Sequence, residues 1–539
     1  MTILLPLTLG LVVVVSWLWK IGSREAGLPP GPPTVPLLGN LHVFPQHSFH
    51  YKFTEWARHY GGIYSLKLGP DTIVILTDVA AVKELIEKRS GSTADRPPMY
   101  VAELVTGGLQ MVLARYSDKW RSLRRTAHAT LTPKASLRHI PIQKAEATQL
   151  LHDILHDPEG FFRHIHRAAN SSIMSVLYGK RSPRYETQQT AAFYKMFHVW
   201  EEITAPGATP PIDIIPILKY IPERFAKWKQ ICAQTRRNQR DLYFGFLDET
   251  RRRIQSGCEN GSYMEEVLKR QEELGMDTEM AGYLGGALIE AGSDTTALYL
   301  KSLILALVAY PDAQQKAQEE IDRVVGEHRM PTLEDLEAMP YIRAVILETH
   351  RFRPTPPLMV PHRALNDEEY KGFLIPKGCT IFINAWGIFH DPMLFDDPER
   401  FMPERYVLTV NGTKPELEMD ASDLRPNFVF GVGRRSCPGI HVAQHAININ
   451  VMFLIWAFNF STANDAEGNP ISVDTFKYEK GIVTGPSPFK CKITPRSAEK
   501  AELIESEFLE SGETFSKFEY GLDRVDKEFV EKTRAASSR

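Results

Sequence analysis

The stretch FVFGVGRRSCPGIHVAQHAININVMFLIWAF, Phe428 to Phe458, decides how the chain is read. Gly431 and Gly433 bracket a tight turn ahead of Cys437, and Pro438-Gly439 then leads into an apolar helical run. The sulfur is therefore expected at a helix N-terminus, where backbone N–H groups and the helix dipole stabilise a thiolate and lower its pKa. A metal ligand requires that arrangement and a buried structural thiol does not. The other four cysteines, Cys232, Cys258, Cys379 and Cys491, are widely spread and form no CxxC pair or Cys/His cluster of zinc spacing. Such a set suits a reducing compartment, in which a lone thiol serves as ligand or nucleophile.

A thiolate so placed can hold haem iron and donate electron density toward the opposite face, favouring cleavage of the O–O bond of dioxygen. Arg435, two residues before the cysteine, is placed to meet a haem propionate with a planar fork of donors. The pattern Phe430-x-x-Gly433-x-Arg435-x-Cys437-x-Gly439 resembles the haem-binding signature of the cytochrome P-450 superfamily, with five fixed positions in ten. The resemblance implies a mainly α fold with a minor β region, and a haem b with Cys437 as the axial thiolate and Phe430, Arg435 and Gly439 around it. It also implies monooxygenase chemistry.

The family's other motifs occur in its order. Ala291-Gly292-Ser293-Asp294-Thr295-Thr296 sets an acid beside hydroxyls inside a long apolar run, where burial is costly unless the group is used or paired. By resemblance, Thr295 delivers a proton to bound dioxygen and Asp294 relays protons to it, which agrees with the need of O–O heterolysis for a short proton route. Gly292, next to Ala291, is expected to leave space for dioxygen. Glu348 and Arg351, three apart, share a helical face. In the family the matching pair joins a later arginine in a buried network. Arg400 and Arg405 compete for that role in DDPERFMPERYV, and spacing to Phe395 and the haem loop favours Arg405. Trp120, Arg124 and His128 lie at i, i+4 and i+8 on one helical stripe, resembling the family's propionate clamp. Lys119, Arg121 and Arg125 lie on a neighbouring face, which reads equally as a docking face for an acidic electron-transfer partner or as a solvated basic surface. His362, in Pro361-His362-Arg363, is a further expected propionate ligand.

Outward from these motifs the chain organises itself by composition. Its 539 residues carry a formal net charge of −3, which argues against a nucleic-acid partner held by bulk charge. Residues 1–20 contain an uncharged apolar run flanked by Trp17, Trp19, Lys20 and Arg24, with no basic residue before it. Those flanks favour an uncleaved transmembrane anchor over a signal peptide, with the body of the chain in the cytosol. Residues 21–40 hold prolines 29, 30, 32, 33 and 36 and read as a stiff spacer outside the core. Residues 41–496 read as a single body, which by resemblance is the haem-thiolate monooxygenase domain, with a hairpin at Tyr64 to Asp78, a long helix from Asp277 to Ala309, another from Tyr310, and strands between Tyr370 and Trp386. The charge-rich tail 497–539 reads as a partly helical appendage or as disorder, with no function assigned.

Two variable segments, Pro98 to Ser117 and Ile203 to Pro222, are apolar enough for a pocket that takes a lipophilic small molecule. Glu290 and the PTPPLMV stretch from Pro354 are candidates for its lining. The pattern looks most like fungal microsomal members of the family, many of which act in secondary metabolism. An endoplasmic-reticulum location follows by resemblance. No flavin or nicotinamide fingerprint is present, so NADPH electrons must arrive through a separate partner, an NADPH-cytochrome P-450 reductase with cytochrome b5 as an optional second donor. Reductase-independent peroxygenase or isomerase chemistry, and a haem sensor without turnover, are the rival readings; the Asp294/Thr295 pair argues against both.

Overall fold

The computed structural model describes residues 20–205 and 207–537, so the anchor expected over residues 1–20 lies outside the described residues except for Lys20. The longer helices are, in chain order, α1 (Asp118–Thr130), α2 (Ile140–His156), α3 (Phe161–Tyr178), α4 (Gln188–Thr204), α5 (Lys227–Gln255), α6 (Thr278–Ala309), α7 (Pro311–Val325), α8 (Pro340–Phe352), α9 (Ile440–Ala457), α10 (Ala498–Ser516) and α11 (Arg524–Ser537). Shorter helical turns join them. The central rod is α6, apolar on nearly every side and therefore buried on nearly every side. The Asp277 carboxylate opens it by accepting the Met280 N–H at 2.7 Å. Pro311 at the first position of α7, where a missing N–H costs nothing, then turns the chain through 106°. Helices α3 and α9 pack on α6, and α2 packs on both.

The β region is small. Strands β1 (Ile63–Leu68), β2 (Asp71–Leu76), β3 (His362–Arg363) and β6 (Thr380–Ile383) form one sheet in the order β1-β2-β6-β3; β4 (Glu368–Tyr370) pairs with β5 (Phe373–Ile375), and β7 (Phe458–Thr462) with β8 (Cys491–Pro495). The hairpin expected around Gly69-Pro70 is β1–β2, antiparallel with Leu68 opposite Asp71. β2 and β6, about three hundred residues apart, pair in parallel, and the other strand pairs among the described residues are antiparallel. Their register brings β3, and with it His362, to the edge of the cavity described below.

Two expectations need revision. The proline segment is not a spacer standing clear of the core: Ser65 of β1 donates its N–H to Pro30 O at 2.8 Å and its hydroxyl to Pro29 O at 2.7 Å, while Asn40 Nδ2 reaches Pro33 O at 3.0 Å. Prolines cannot donate, but their carbonyls accept, and here they cap the open edge of β1. The tail, left open between a partly helical appendage and disorder, is helical over Ala498–Ser516 and Arg524–Ser537 and is packed on the domain rather than appended to it. Helix α10 lays Ile504, Phe508 and Phe515 into the core, and the acids of α11 and its approach meet arginines, with Asp526 on Arg184 at 2.6 Å and Glu519 on Arg181 at 2.8 Å. Among the described residues, α9 is long and apolar enough to cross a membrane by itself, yet most of it is buried inside the protein as a core helix.

Candidate active site

The loop before α9 carries Cys437. Gly433 has φ +67°, and a Cβ there would come within 2.4 Å of Ile86 O; Gly431 has φ +78°. Both positions demand glycine for the turn. The Cys437 N–H donates to Phe430 O at 2.7 Å, closing the loop on itself. Its sulfur faces a cavity of about 300 Å³, enclosed by α1, α2, α3, α6, α9 and the segments around Met111 and Pro356. The helix-terminus argument is only partly right: burial pushes the Cys437 thiol up, against the lowering effect of the Gly439 N–H and the Arg124 charge. Desolvation in this enclosed site outweighs one amide and one cation, and a cationic metal bound there would make the anion favourable.

Along one wall three guanidiniums converge. Arg435 donates to the carbonyls of Ala94 (2.7 Å) and Ala114 (2.8 Å), and its guanidinium lies 3.9 Å from the Trp120 ring centroid. Arg96 donates to Val112 O (2.9 Å), Val360 O (2.7 Å) and Pro361 O (2.8 Å). Arg124 donates to His128 Nε2 at 2.8 Å and Ser436 Oγ at 3.3 Å. Among the described residues, none of the three has a carboxylate within ion-pair distance, although many of the chain's other arginines do. Burial and the repulsion of neighbouring cations push Arg96 well down and Arg435 down to about 9. His362 stands beside them, its Nδ1 2.9 Å from Thr93 O, pushed down to about 3 by burial and then by Arg96. Donation to a carbonyl fixes the proton on Nδ1, so Nε2 can donate to an anion only as the imidazolium. Buried cations without counter-charge are costly, and a dianionic edge is the complement this wall calls for.

The opposite wall is α6. Ala291, Gly292, Thr295 and Thr296 face the cavity, with the Thr295 hydroxyl bonded back to Ala291 O at 2.7 Å. Asp294 does not face it. Its Oδ1 lies 3.9 Å from His166 Nδ1, close to Lys301, whose Nζ meets His166 Nε2. Burial raises Asp294 to about 6 and lowers Lys301 to about 8. Space for dioxygen is not what Gly292 provides on its Cα–H side: a Cβ there would meet Ile173 Cγ1 of α3 at 2.5 Å, so the residue lets two helices approach closely.

Other expected residues divide. Trp120, Phe430 and Gly439 line the cavity. His128 does not: it is exposed and stands behind Arg124, because a further helical turn carries it past the wall and leaves it to orient that guanidinium. Glu290 also sits outside, buried in a network with Gln110 Nε2 (2.6 Å), Gln239 and the Tyr243 hydroxyl. From the PTPPLMV stretch, Thr355, Pro356, Met359 and Val360 contribute lining; so do Met111 and Val112 of the first variable segment, whereas the second contributes none. At the end of α8 Glu348 accepts from Arg351 Nε (2.7 Å), Arg351 Nη2 (2.8 Å), Arg405 Nε (3.1 Å) and Met402 N–H (2.8 Å), with all three charged side chains buried. Arg400 offers only its carbonyl and points its side chain to solvent. Arg96 is the residue the sequence did not reveal; Pro97-Pro98 after it, which stiffen its approach, are the one local hint.

Comparison with known proteins agrees with this arrangement. The family model described as Cytochrome P-450 matches residues 29–493. A cytochrome P-450 monooxygenase of Armillaria gallica is 45% identical over 516 residues, covering 96% of this chain and 98% of the relative. One of Arthrobotrys oligospora is 40% identical (94% and 97%), and yanC of Aspergillus niger 38% identical (92% and 95%). A solved zebra fish cytochrome P-450 structure with abiraterone superposes with a TM-score of 0.66 at 25% identity, covering 83% of this chain and all of that one.

Proposed function

The chain belongs to the cytochrome P-450 family and is a monooxygenase of fungal type, and from that premise we propose that Cys437 ligates haem iron and that the cavity above it oxidises a lipophilic small molecule of secondary metabolism. The observation that carries the proposal is one cavity that joins a buried sulfur to a wall of three guanidiniums without carboxylate partners. That donor set fits haem b: a thiolate for the metal, cations for two propionates, and apolar side chains for the porphyrin faces. When bound, the haem supplies dioxygen activation with electrons from outside the chain.

The chain's own groups then have these parts. Arg96, Arg124 and Arg435 would hold the propionates, with Arg435 stacked on Trp120 and Arg124 positioned by His128. Thr295 presents a hydroxyl to the cavity. Asp294 is turned to the His166/Lys301 side of α6, where burial raises it to about 6, so it passes a proton to that hydroxyl only when its side chain swings around the helix. Glu348, Arg351 and Arg405 tie α8 to the segment 389–405. Met111, Val112, Ile173, Leu288 and Met359 leave the substrate few polar partners, so shape and apolarity select it.

Electrons come from NADPH through a reductase, for which the exposed Lys119 and Arg125 offer a basic face. Membrane attachment at the endoplasmic reticulum rests on the apolar N-terminus and on exposed Ile217, Tyr220 and Phe225, near exposed Leu37, Leu38 and Val43. Gly69 touches both segments, since a Cβ there would sit 3.7 Å from Leu37 O and 3.9 Å from Ile214 Cγ2. The test is the carbon-monoxide difference spectrum of the reduced protein. The strongly red-shifted Soret band of a thiolate ligand is expected in the native protein and absent in Cys437→Ser; its persistence in the variant refutes the ligand assignment.

A further inference from the structure

We propose that His152, His156 and Glu505 form a second metal site, of the zinc class, that ties the C-terminal helix α10 to α2. The two histidines lie at i and i+4 on α2, a spacing that aligns two imidazoles on one helical face. Glu505 comes from α10, more than three hundred residues later. One ligand atom from each of the three lies within 4.8 Å of the others. None of the three lines the haem cavity.

The bonding at this cluster is incomplete in the way a metal would complete it. Glu505 Oε1 meets His156 Nε2 at 2.6 Å, but Oε2 is buried without a hydrogen bond, 3.5 Å from His152 Nε2. One carboxylate faces two imidazoles. A surface ion pair would need one imidazole and would leave its oxygens to water. Leaving a buried carboxylate oxygen unpaired is costly, and a cation held between the two rings and the carboxylate removes that cost. Ser537 Oγ of α11, 2.9 Å from His152 Nε2, brings a fourth polar atom to the same spot.

The scaffold is preorganised on one side and adjustable on the other. His152 is 6% exposed and stacked on Phe508, with ring centroids 4.1 Å apart, so its ring is locked. Asp153 Oδ1 stands 3.8 Å from its Nδ1, which is buried and unpaired, the place from which a carboxylate orients a metal-bound imidazole. His156 is exposed and is held by Glu505 Oε1 and by the edge of the His152 ring, not by surrounding core. Tetrahedral zinc, with bonds of about 2.0–2.2 Å, holds its ligand atoms roughly 3.3–3.5 Å apart, so closure requires a movement of about 1 Å that His156 can supply. Two imidazole nitrogens with one carboxylate select zinc-like ions over calcium or magnesium, which prefer all-oxygen shells.

The experiment uses the full-length, haem-loaded protein without a histidine tag, stripped with chelator and dialysed against micromolar zinc. Zinc is counted by atomic emission against iron, which counts folded holoprotein. One zinc per iron is expected in the native protein, with at least a tenfold weaker apparent affinity in both His156→Ala and Glu505→Gln. Iron content and the carbon-monoxide spectrum should be the same in all three. Equal zinc content in the three proteins, whether one equivalent or none, overturns the proposal.

Discussion

The sharpest consequence of the site concerns Glu348. Glu348→Gln keeps the shape of the side chain and removes its charge. In the native protein the carboxylate accepts from Arg351 twice, from Arg405, and from the Met402 N–H, within 3.1 Å and with no exposure at Glu348 or Arg351. A glutamine offers one acceptor oxygen and turns an amide donor toward guanidinium donors. Two buried cations are then left without a counter-charge. Breaking a buried pair in this way costs about 3–5 kcal/mol, a shift of roughly 10²- to 10⁴-fold in the folding equilibrium. The assay is urea unfolding followed by circular dichroism on the native protein, Glu348→Gln, Arg405→Ala and Arg400→Ala. Arg405→Ala should fall toward the lower end of that range because Arg351 still neutralises Glu348. Arg400→Ala should stay within about 0.5 kcal/mol of native, as surface substitutions do. A Glu348→Gln variant within 1 kcal/mol of native, as a rough threshold, or equal costs at Arg400 and Arg405, would refute the network.

Burial raises Asp294 from 3.8 to about 6, so the folded chain holds this proton between about pH 4 and 6 after the unfolded chain has released it. Stability therefore falls as pH rises through that window, and Asp294→Asn should gain on the native protein by up to about 3 kcal/mol between pH 4 and pH 7; a gap in unfolding midpoints that stays constant with pH shows that Asp294 ionises normally. Gly292→Ala drives a methyl against Ile173 and should cost about 1–3 kcal/mol in thermal unfolding. Adding Ile173→Ala should recover part of that loss, and no recovery would place the strain elsewhere.

What was legible in the sequence was local. The turn before Cys437, the long apolar α6 and the hairpin at Gly69-Pro70 are written in spacing and punctuation within a few residues, and they stand where spacing puts them. The choice of Arg405 over Arg400 also came from spacing. Long-range partners left no such trace. The proline segment docks on β1 through Ser65, which no pattern in either segment announces. Arg96 joins the cationic wall where bridges from Ala94 and Asp95 to Arg363 bring its segment against Val360 and Pro361. Some signals were present and went unread. Neighbours on a helix point about 100° apart, so Asp294 and Thr295 could not both face one cavity. Ile504 and Phe508 at i and i+4 already marked α10 as a packed helix.

The cationic wall makes the prosthetic group a structural member as well as a reagent. Three like charges confined together oppose folding until a dianion discharges them, and anything bound only by the native state adds stability by mass action, about 4 kcal/mol at a thousandfold excess over its dissociation constant. Cellular abundance of this enzyme should then track haem supply: cells starved of iron would lose the polypeptide to proteolysis, not merely its activity.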